Sequence, residues 1–344
     1  MGSVHARPRP GGDVLGRNID RNEVQQVRIG VFGLFHPQRL ALSSSAGGLL
    51  ECASEREKWK ASGLRLELSG ARIKVTTEGK TDFARQVRCQ NSQGSPGRLV
   101  LAVPGKIERA FEGVLEIQPH AQELLAVVGM ELETAVASVV AAEELPNAPI
   151  ESLKAQAVAA RSFFSGGSRH DAFDFCDTTH CQFLRAPPDA HSPAARAAQS
   201  TRGLTLAYRG ATVAALYSAS CGGQTHSLEE LGLPVRGYPY FSVVCDYCRR
   251  HPQPWASRLQ QSDAQTLRPS ERSRLALARK LGWNAIPSNS YSAQRQGASV
   301  LLEGTGAGHG IGLCQRGSTA MAREGATFQE ILRHYYPNTV LTGK

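Results

Sequence analysis

The sequence lacks any segment that resembles a membrane-spanning helix. Such a helix needs roughly 20 consecutive apolar residues, and the most apolar stretch, residues 124–145, contains four glutamates. Residues 1–22 are rich in Arg, Pro and Gly and have no apolar core of the kind found in secretory signal peptides. We therefore expect no transmembrane segment, and we interpret residues 1–22 as a flexible leader without a visible export signal.

Several common catalytic signatures are also absent. The glycine-rich run at residues 304–312 matches neither G-x-G-x-x-G nor the phosphate-binding loop, which disfavours nucleotide chemistry. The sequence contains no H-E-x-x-H and no G-x-S-x-G. The sequence therefore gives no local indication of a zincin or of an esterase with a serine nucleophile.

Acidic residues are fewer than basic ones. The sequence has 30 Asp and Glu and 39 Lys and Arg, which gives a net charge of +9. A basic chain favours polyanionic partners such as nucleic acid, anionic lipid or cell-wall polymer. No recognisable DNA-binding or RNA-binding motif is present, so nucleic acid is not an expected partner.

The remaining composition is that of a globular protein. With 344 residues, of which 41% are hydrophobic and 20% charged, the chain suits about two domains. This composition excludes a mainly disordered chain, a coiled coil and a fibre. Apolar residues alternate with polar or small ones in the first 130 residues, as they do in half-buried strands. The pattern predicts a strand-rich N-terminal unit over residues 23–130, with strands at 27–31, 64–68, 71–75, 99–103, 114–117 and 124–128.

Helical spacing replaces this alternation at Glu131 and predicts a helix to about Glu143. Pro149 suits the first turn of a second helix. The apolar residues of that helix form a narrow stripe: Leu153, Ala157, Ala160 and Phe164.

The rest of the chain mixes both patterns. It predicts helices at 194–201, 270–281 and 318–336, strands at 204–207 and 212–217, and unusual backbone conformations in the glycine run. Residues 131–340 are therefore interpreted as a mixed core with a less certain insertion at 255–300. The predicted fold class is α+β, with the strand-rich unit packed against this core.

Six of the eight cysteines lie in the C-terminal two thirds of the chain. His170, Cys176, His180 and Cys181 are sufficient for a tetrahedral Zn²⁺ site, although their spacing is not that of a common zinc finger. A disulfide between Cys176 and Cys181 is the alternative. A filled site of this kind has no open position, so its metal would be structural.

A second cysteine group leaves more alternatives open. Cys245 and Cys248 form a C-x-x-C pair. Together with Cys221, and with Cys314 or His226, they suit either a second metal site or one or two disulfides.

Four ordered blocks of sequence together resemble one family. The first runs from Glu143-Glu144-Leu145-Pro146 into residues 149–162, PIESLKAQAVAARS. The others are residues 176–182, CDTTHCQ, residues 217–225, YSASCGGQT, and residues 308–315, GHGIGLCQ. They closely resemble the SpoIID/LytB family, the stage II sporulation protein D-like proteins. In that family a Glu ends one helix, and an acidic residue eight positions later opens A-L-K-A-Q-A-V-A-A-R.

The resemblance implies a peptidoglycan lytic transglycosylase. Such enzymes cleave the β-1,4 bond between N-acetylmuramic acid and N-acetylglucosamine, often on strands stripped of stem peptides, and leave 1,6-anhydro ends. It further implies a SpoIID-type core, a catalytic role for Glu143 and a zinc ion on His170, Cys176, His180 and Cys181. The substrate implies an extracytoplasmic location, in the periplasm or cell wall.

The chemistry of this reaction can be compared with the sequence. Cleavage needs a protonated carboxyl group, and the apolar residues 135–142 before Glu143 should raise its pKa. One carboxyl group is sufficient, because the C6 hydroxyl of the sugar itself attacks C1. Glu144 is the competing candidate, and Pro146 lies one place later than is usual in the family, so the choice between the two glutamates stays open.

Lys154 and Arg161 are seven residues apart, which places them on one flank of the second helix. They are predicted to bind the lactyl carboxylate of muramic acid or to orient Glu143, and a solvated basic edge is the alternative. The predicted substrate-binding residues are Gln156, Gln182, Tyr217, Ser218, Ser220, Gly222, Gly223, Thr225, His309 and Gln315. For the Ser- and Gly-rich turn, a purely backbone role is the alternative.

Two other functions remain open at this point. Some family members are named as modifiers of amidases, so a non-catalytic wall protein that stimulates an N-acetylmuramoyl-L-alanine amidase is one alternative. A peptidase or amidase with Cys181 or Cys314 as nucleophile is the other.

Overall fold

The structure, a computed structural model, describes residues 25–45, 47–92, 98–235, 237–268 and 270–343. The leader predicted at residues 1–22 lies outside these residues. Within them, strands and helices both contribute extensively, which confirms the α+β class. The same residues contain no helix that is both long enough and apolar enough to cross a membrane.

The described residues up to Glu131 form strands in two sheets. The strands are β1 (Gln26–Val31), β2 (Arg39–Ser44), β3 (Leu50–Ala53), β4 (Lys58–Ala61), β5 (Gly63–Ser69), β6 (Arg72–Thr77), β7 (Lys80–Ala84), β8 (Val87–Asn91), β9 (Leu99–Val103), β10 (Ile107–Phe111), β11 (Val114–His120) and β12 (Glu123–Glu131), with a short 3-10 helix at Gly33–Phe35. One sheet has the order β10-β9-β2-β5-β6-β7, and the other contains β1, β12, β11, β8, β3 and β4 in that order. Their buried side chains form one hydrophobic cluster, so the two sheets pack against each other.

The later elements include both helices and strands. They are α1 (Leu132–Glu143), α2 (Ile150–Ser165), β13 (Phe175–Cys176), α3 (Pro193–Ser200), β14 (Leu204–Tyr208), β15 (Ala211–Thr212), β16 (Tyr217–Ser218), α4 (Asp246–Arg250), β17 (Pro254–Gln260), α5 (Gln261–Ala264), α6 (Glu271–Leu281), β18 (Tyr291–Gln296), β19 (Ser299–Thr305), β20 (Leu313–Cys314), α7 (Gln315–Arg323), α8 (Phe328–Tyr335) and β21 (Val340–Gly343). Strand β13 pairs with β1, so the strand-rich unit and the later core share one sheet.

Two predicted elements differ from the structure. The helix expected at 318–336 is two helices, α7 and α8, because Gly325 takes a φ of 96° between them and Thr327 caps the second. The segment expected as one strand at 212–217 is a β-strand only at its two ends, in β15 and β16. The glycine run does have the predicted unusual backbone, since Gly306, Gly308, Gly310 and Gly312 all have positive φ.

Residues 255–300, which the sequence predicts to be an insertion, are more regular than the sequence indicates. Strands β17, β19 and β18 form an antiparallel sheet that packs with α6 around Leu259, Leu277, Ile286 and Leu302. Strand β18 has no buried side chain and β17 has one, so hydrophobic alternation is too weak to reveal them.

Helix α2 is the central element of the later core. Twelve of its sixteen residues are buried, so its apolar surface is far wider than the predicted stripe. Leu153, Ala157 and Ala160 pack into the cluster formed with the two sheets. Ala155, Val158 and Ala159 pack on the other side, with the C-terminal helices. The structure thus places α2 between two hydrophobic cores.

Arg161 fastens α2 to the beginning of α1. Its guanidinium is 1% exposed and lies 2.6 Å from the Glu133 carboxylate, and it also donates to the carbonyls of Ala198 and Leu204. Glu133 and Glu143 are ten residues apart on one helix, which is about 15 Å along its axis. The predicted role of Arg161 beside Glu143 is therefore wrong, because its side chain is fully used at the opposite end of α1.

We expect Arg161→Met to lower the free energy of unfolding by about 3–5 kcal/mol, because it leaves the Glu133 carboxylate buried without its cation. Arg202→Met is the matched control. It breaks an exposed pair with Glu131 and should cost at most about 1 kcal/mol. Urea denaturation measures both changes, and equal costs would contradict the assigned role of Arg161.

Candidate active site and metal centres

Glu143 is the last residue of α1 and is held from two sides. Its Oε1 accepts a hydrogen bond from the backbone N–H of Phe183 at 2.8 Å. Its backbone carbonyl accepts one from Nε2 of Gln315 at 2.9 Å. The end of α1 is therefore joined both to the segment after β13 and to the start of α7.

The two adjacent glutamates have different surroundings. Burial raises the pKa of Glu143 to about 7, while the hydrogen bonds from Phe183 and Tyr217 act in the opposite direction. Glu144 is exposed, and partial desolvation raises its pKa. The carboxyl group that is turned into the protein is that of Glu143.

Tyr217 connects Glu143 to two buried glutamines. Its hydroxyl donates to Oε1 of Gln182 at 3.0 Å and also faces the Glu143 carboxylate. Burial, followed by the charge of Glu143, raises the pKa of Tyr217 well above its usual value. Gln156 lies beside the same hydroxyl, and Gln182 is anchored by its Nε2 to the carbonyl of Ala160. The hydroxyl has one proton, so it serves either Gln182 or Glu143 at a time.

Lys154 does not reach this group. Its ammonium lies 2.6 Å from the Glu151 carboxylate and over the ring of Phe328, 5.9 Å from the centroid. Among the described residues it has no hydrogen bond or ion pair with Glu143. The prediction that Lys154 and Arg161 meet in one pocket is therefore wrong, since a shared helix flank does not determine the partners of two long side chains.

His309 is occupied by contacts within the protein. Its Nδ1 accepts from the backbone N–H of Ile311 at 3.0 Å, and the ring also bonds to the backbone of Tyr217. Burial lowers the pKa of His309 to about 4, so the ring is neutral at pH 7. In this structure His309 supports Tyr217 instead of facing a groove, which differs from its predicted role in binding substrate.

The predicted Ser- and Gly-rich groove is divided between two places. Ser218 and Ser220 are buried, and Thr225 is buried with its hydroxyl bonded to the backbone of Val243. Gly222 and Gly223 line a separate cavity of about 480 Å³ with His226, Glu230 and Arg249. The serines and the threonine are therefore internal packing residues, and only the two glycines border open space.

A groove of about 730 Å³ adjoins the Glu143 site at Phe183. Phe183 lines it, while its backbone N–H binds Glu143. The exposed Arg185 also lines the groove and lies over the Phe183 ring, 5.0 Å from the centroid. Its floor contains a largely buried ion pair, Arg109 with Asp177 at 2.9 Å. Sequence reasoning missed Phe183 and Arg185, although they directly follow the C-D-T-T-H-C-Q block.

The first Cys/His group comes together as predicted. One ligand atom from each of His170, Cys176, His180 and Cys181 lies within 4.8 Å of the others. The distances from sulfur to nitrogen include 3.3 Å for Cys181 to His170 and 3.7 Å for Cys176 to His180. Sulfur and nitrogen ligands of one tetrahedral zinc are about 3.6 Å apart. The donor set therefore fits a single ion, and Cys176 and Cys181 are not joined by a disulfide.

The remaining cysteines fall into two groups. Cys221, Cys245, Cys248 and Cys314 are free and buried, and their sulfurs lie within 4.8 Å of one another, so this cluster could also hold a metal. Cys52 and Cys89 form a disulfide between directly opposed positions of β3 and β8. The sequence did not reveal this pairing, because it depends on the register of two strands.

We expect Glu143→Gln to stabilise the protein at high pH. The folded-state pKa of about 7 exceeds the ordinary value of 4.5, so ionisation of Glu143 opposes folding. The penalty is absent below about pH 4.5 and grows as the pH rises through 7, toward about 3 kcal/mol. Urea denaturation should therefore show Glu143→Gln to be more stable than the wild type near pH 8, with no difference near pH 4.5.

Glu144→Gln is the control for this experiment. Its carboxyl is exposed and its pKa is raised only by partial desolvation, so the substitution should change the pH dependence of stability far less than Glu143→Gln does. Wild-type stability of Glu143→Gln near pH 8 would show that the carboxyl of Glu143 is well solvated.

Comparison with known proteins finds a family model that matches the central part of the chain. Residues 120–208 match the SpoIID model, described as stage II sporulation protein. An uncharacterised protein of Brachyspira hyodysenteriae is 28% identical over 262 residues, which are 66% of this chain and 70% of that protein.

Two Bacillus subtilis proteins match over shorter segments. The amidase enhancer is 36% identical over 62 residues, and stage II sporulation protein D is 35% identical over 63 residues. Each match covers 18% of this chain, and the chain spans only 9% and 18%, respectively, of the two relatives. The matched segment 120–208 includes Glu143, the first Cys/His group and Gln182. Residues 120–208 of the chain therefore match the SpoIID domain.

Proposed function

We propose that the chain is a peptidoglycan lytic transglycosylase and that Glu143 is both its acid and its base. The observation that carries this proposal is the inward-facing carboxyl at the end of α1, whose pKa of about 7 suits proton transfer in both directions near neutral pH. Its substrate is the β-1,4 bond between N-acetylmuramic acid and N-acetylglucosamine.

The first step uses the protonated form of Glu143. Its proton passes to the glycosidic oxygen, the bond from that oxygen to C1 of the muramic acid breaks, and its electrons stay with the departing sugar. Positive charge of oxocarbenium type develops on the muramic acid ring. The ionised Glu143 that results is adjacent to this charge and stabilises it.

The second step regenerates the acid. The Glu143 carboxylate takes the proton of the C6 hydroxyl of the same muramic acid, and the C6 oxygen bonds to C1. This closes the 1,6-anhydro ring without water. Tyr217 assists as a positioning residue, because its hydroxyl can turn from Gln182 to Glu143 once the carboxylate is charged.

The groove beside Phe183 is the proposed site for the glycan strand. Phe183 offers an aromatic face, and Arg185 offers an exposed guanidinium for carboxylates such as the lactyl group of muramic acid. Arg185 thus takes the part that the sequence suggested for Lys154 and Arg161. The buried amides of Gln156 and Gln182 support Tyr217 from inside.

A zinc ion on His170, Cys176, His180 and Cys181 is part of the proposal. With four protein ligands it would supply bracing alone, because it leaves no coordination position for water or substrate. The segment that carries these ligands ends at Cys181 and continues directly into Gln182 and Phe183. Gln182 contacts Tyr217, and Phe183 contacts Glu143. The protein residues perform every proton transfer.

The proposed location is extracytoplasmic, in the periplasm or cell wall, where the glycan is found. The disulfide between Cys52 and Cys89 supports an oxidising compartment. The net charge of +9 favours contact with anionic wall polymers.

A cysteine nucleophile has less support than Glu143. Cys314 is fully buried, and its sulfur accepts backbone N–H groups of Cys221 and Gly317. Cys181 is directed at His170 and His180 within the first Cys/His group. Neither thiol faces the groove at Phe183.

The second candidate function is stimulation of an N-acetylmuramoyl-L-alanine amidase without glycan cleavage. It is favoured by the relative named amidase enhancer, which matches 18% of this chain. In that case Glu143 would have no catalytic role.

We expect Glu143→Gln to reduce the release of 1,6-anhydro products from purified glycan strands by at least about 100-fold, because it removes the acid and the base together. Mass spectrometry of the digest measures the products, and Glu144→Gln is the matched control with activity near that of the wild type. Wild-type rates should fall above about pH 7 as the acid form is depleted. Undiminished product from Glu143→Gln would overturn the proposal.

The same preparations distinguish the second candidate. Each protein is added to a purified amidase acting on intact peptidoglycan. Stimulation by both the wild type and Glu143→Gln, with no anhydro product from either, would favour the amidase-modifying role.

A further inference from the structure

The four buried thiols outside the SpoIID match come from three separate parts of the chain. Cys221 follows β16, Cys314 ends β20, and Cys245 and Cys248 lie at the beginning of α4. All four are at most 2% exposed. No residue of the proposed reaction lies among them, so the cluster needs an explanation of its own.

The spacing of the sulfurs suits one tetrahedral ion. They all lie within 4.8 Å of one another, and Cys248 and Cys314 are 3.6 Å apart. Ligand sulfurs of a tetrahedral zinc, each about 2.3 Å from the metal, are about 3.8 Å apart. In a disulfide, two sulfurs lie about 2 Å apart. Two separate disulfides would give no reason for all four sulfurs to lie close together.

The surrounding protein supplies hydrogen-bond donors to these sulfurs. The backbone N–H groups of Cys221 and Gly317 both donate to the sulfur of Cys314 at 3.4 Å. The hydroxyl of Ser220 lies 3.7 Å from the sulfur of Cys248, and that of Tyr335 lies 3.4 Å from the sulfur of Cys245. Such donors stabilise thiolates that carry negative charge.

Gly317 shows how closely the protein is fitted around the cluster. A Cβ at this position would lie 2.5 Å from the sulfur of Cys245 and would also collide with the Tyr335 hydroxyl. Gly317 is in the first turn of α7, whose N-terminus favours nearby negative charge. The start of the helix therefore contacts the sulfurs directly.

We propose that Cys221, Cys245, Cys248 and Cys314 bind one Zn²⁺ as four thiolates, independently of the ion on the first Cys/His group. Binding releases the four thiol protons to solvent and changes no oxidation state. Four sulfurs this close leave room for a single ion, and a closed tetrahedral set of thiolates is typical of structural zinc.

The ion would hold together β16 and β20, the strands that position the two residues in contact with Glu143. Strands β16 and β20 pair in parallel, with Tyr217 opposite Leu313 and Ser218 opposite Cys314. Tyr217 faces the Glu143 carboxylate, and Gln315 holds the Glu143 carbonyl. This positioning role rests on the proposed function, whereas the metal content does not.

The test measures metal in the full-length protein, purified with zinc under reducing conditions. We expect Cys245→Ser/Cys248→Ser to contain one zinc per chain fewer than the wild type. The complementary variant, Cys176→Ser/Cys181→Ser, should retain an ion whose X-ray absorption spectrum shows four sulfurs at about 2.3 Å. Unchanged zinc in the first variant, or fewer than four sulfur ligands in the second, would overturn the proposal.

A measurement on the wild type avoids dependence on the folding of variants. Alkylation of the native protein followed by peptide mass spectrometry should show the four cysteines protected until a chelator removes the metal. Masses that show disulfides among them in zinc-loaded protein, or iron in place of zinc, would refute the assignment. These outcomes do not depend on glycan cleavage, so they are separable from a failure of the proposed activity.

Discussion

The burial of α2 on nearly all its faces is the constraint on which the rest of the core depends. Its alanines are small enough for α1, α3 and the C-terminal helices to approach closely, and its two sides belong to different hydrophobic clusters. Arg161 gives this apolar helix one buried charge, which Glu133 neutralises at the far end of α1. With both helices fixed in this way, the C-terminal residue of α1 has a defined position. Glu143 is thus held near the groove by helix packing, although the residues that contact it come from three later segments.

Local patterns were sufficient to predict the elements that contribute to these cores. The alternation at 64–68 and 99–103 and the helical spacing after Glu131 and Pro149 all correspond to observed elements, because burial of one face imposes a period on the sequence. Polar, exposed strands such as β18 carry no such signal. The division between α7 and α8 depends on Gly325 and on the cap at Thr327, which interrupt an apolar pattern that otherwise continues.

In the candidate site as well, properties of short segments could be predicted, whereas contacts between residues far apart in the sequence could not. The apolar residues before Glu143 predicted a raised pKa, and the presence of four possible metal ligands within residues 170–181 predicted a shared site, because both are short-range properties. The partner of Arg161 lies 28 positions away on another helix, and helical spacing on α2 contains nothing about it. His309 was predicted to bind substrate because glycines, which lack a Cβ, let a backbone approach a ligand closely. In the structure those glycines instead allow the loop to pack against the strand at Tyr217. Side-chain partners across the fold are the information that a single sequence does not hold.

The protein contains one disulfide and six reduced thiols, and this combination constrains the order of folding and oxidation. Cys52 and Cys89 need an oxidant, whereas the same oxidant would convert neighbouring unligated thiols, such as Cys245 and Cys248, into competing bridges. Cys52 and Cys89 belong to the hydrophobic cluster of the two sheets, whereas Cys221, Cys245, Cys248 and Cys314 belong to the cluster of the C-terminal helices, so folding of each cluster separates these two sets of thiols. In an exported chain, the regions that contain these thiols must therefore fold before an oxidant reaches them. A chain that is oxidised too early would be trapped with its C-terminal half misassembled while its N-terminal sheets are intact.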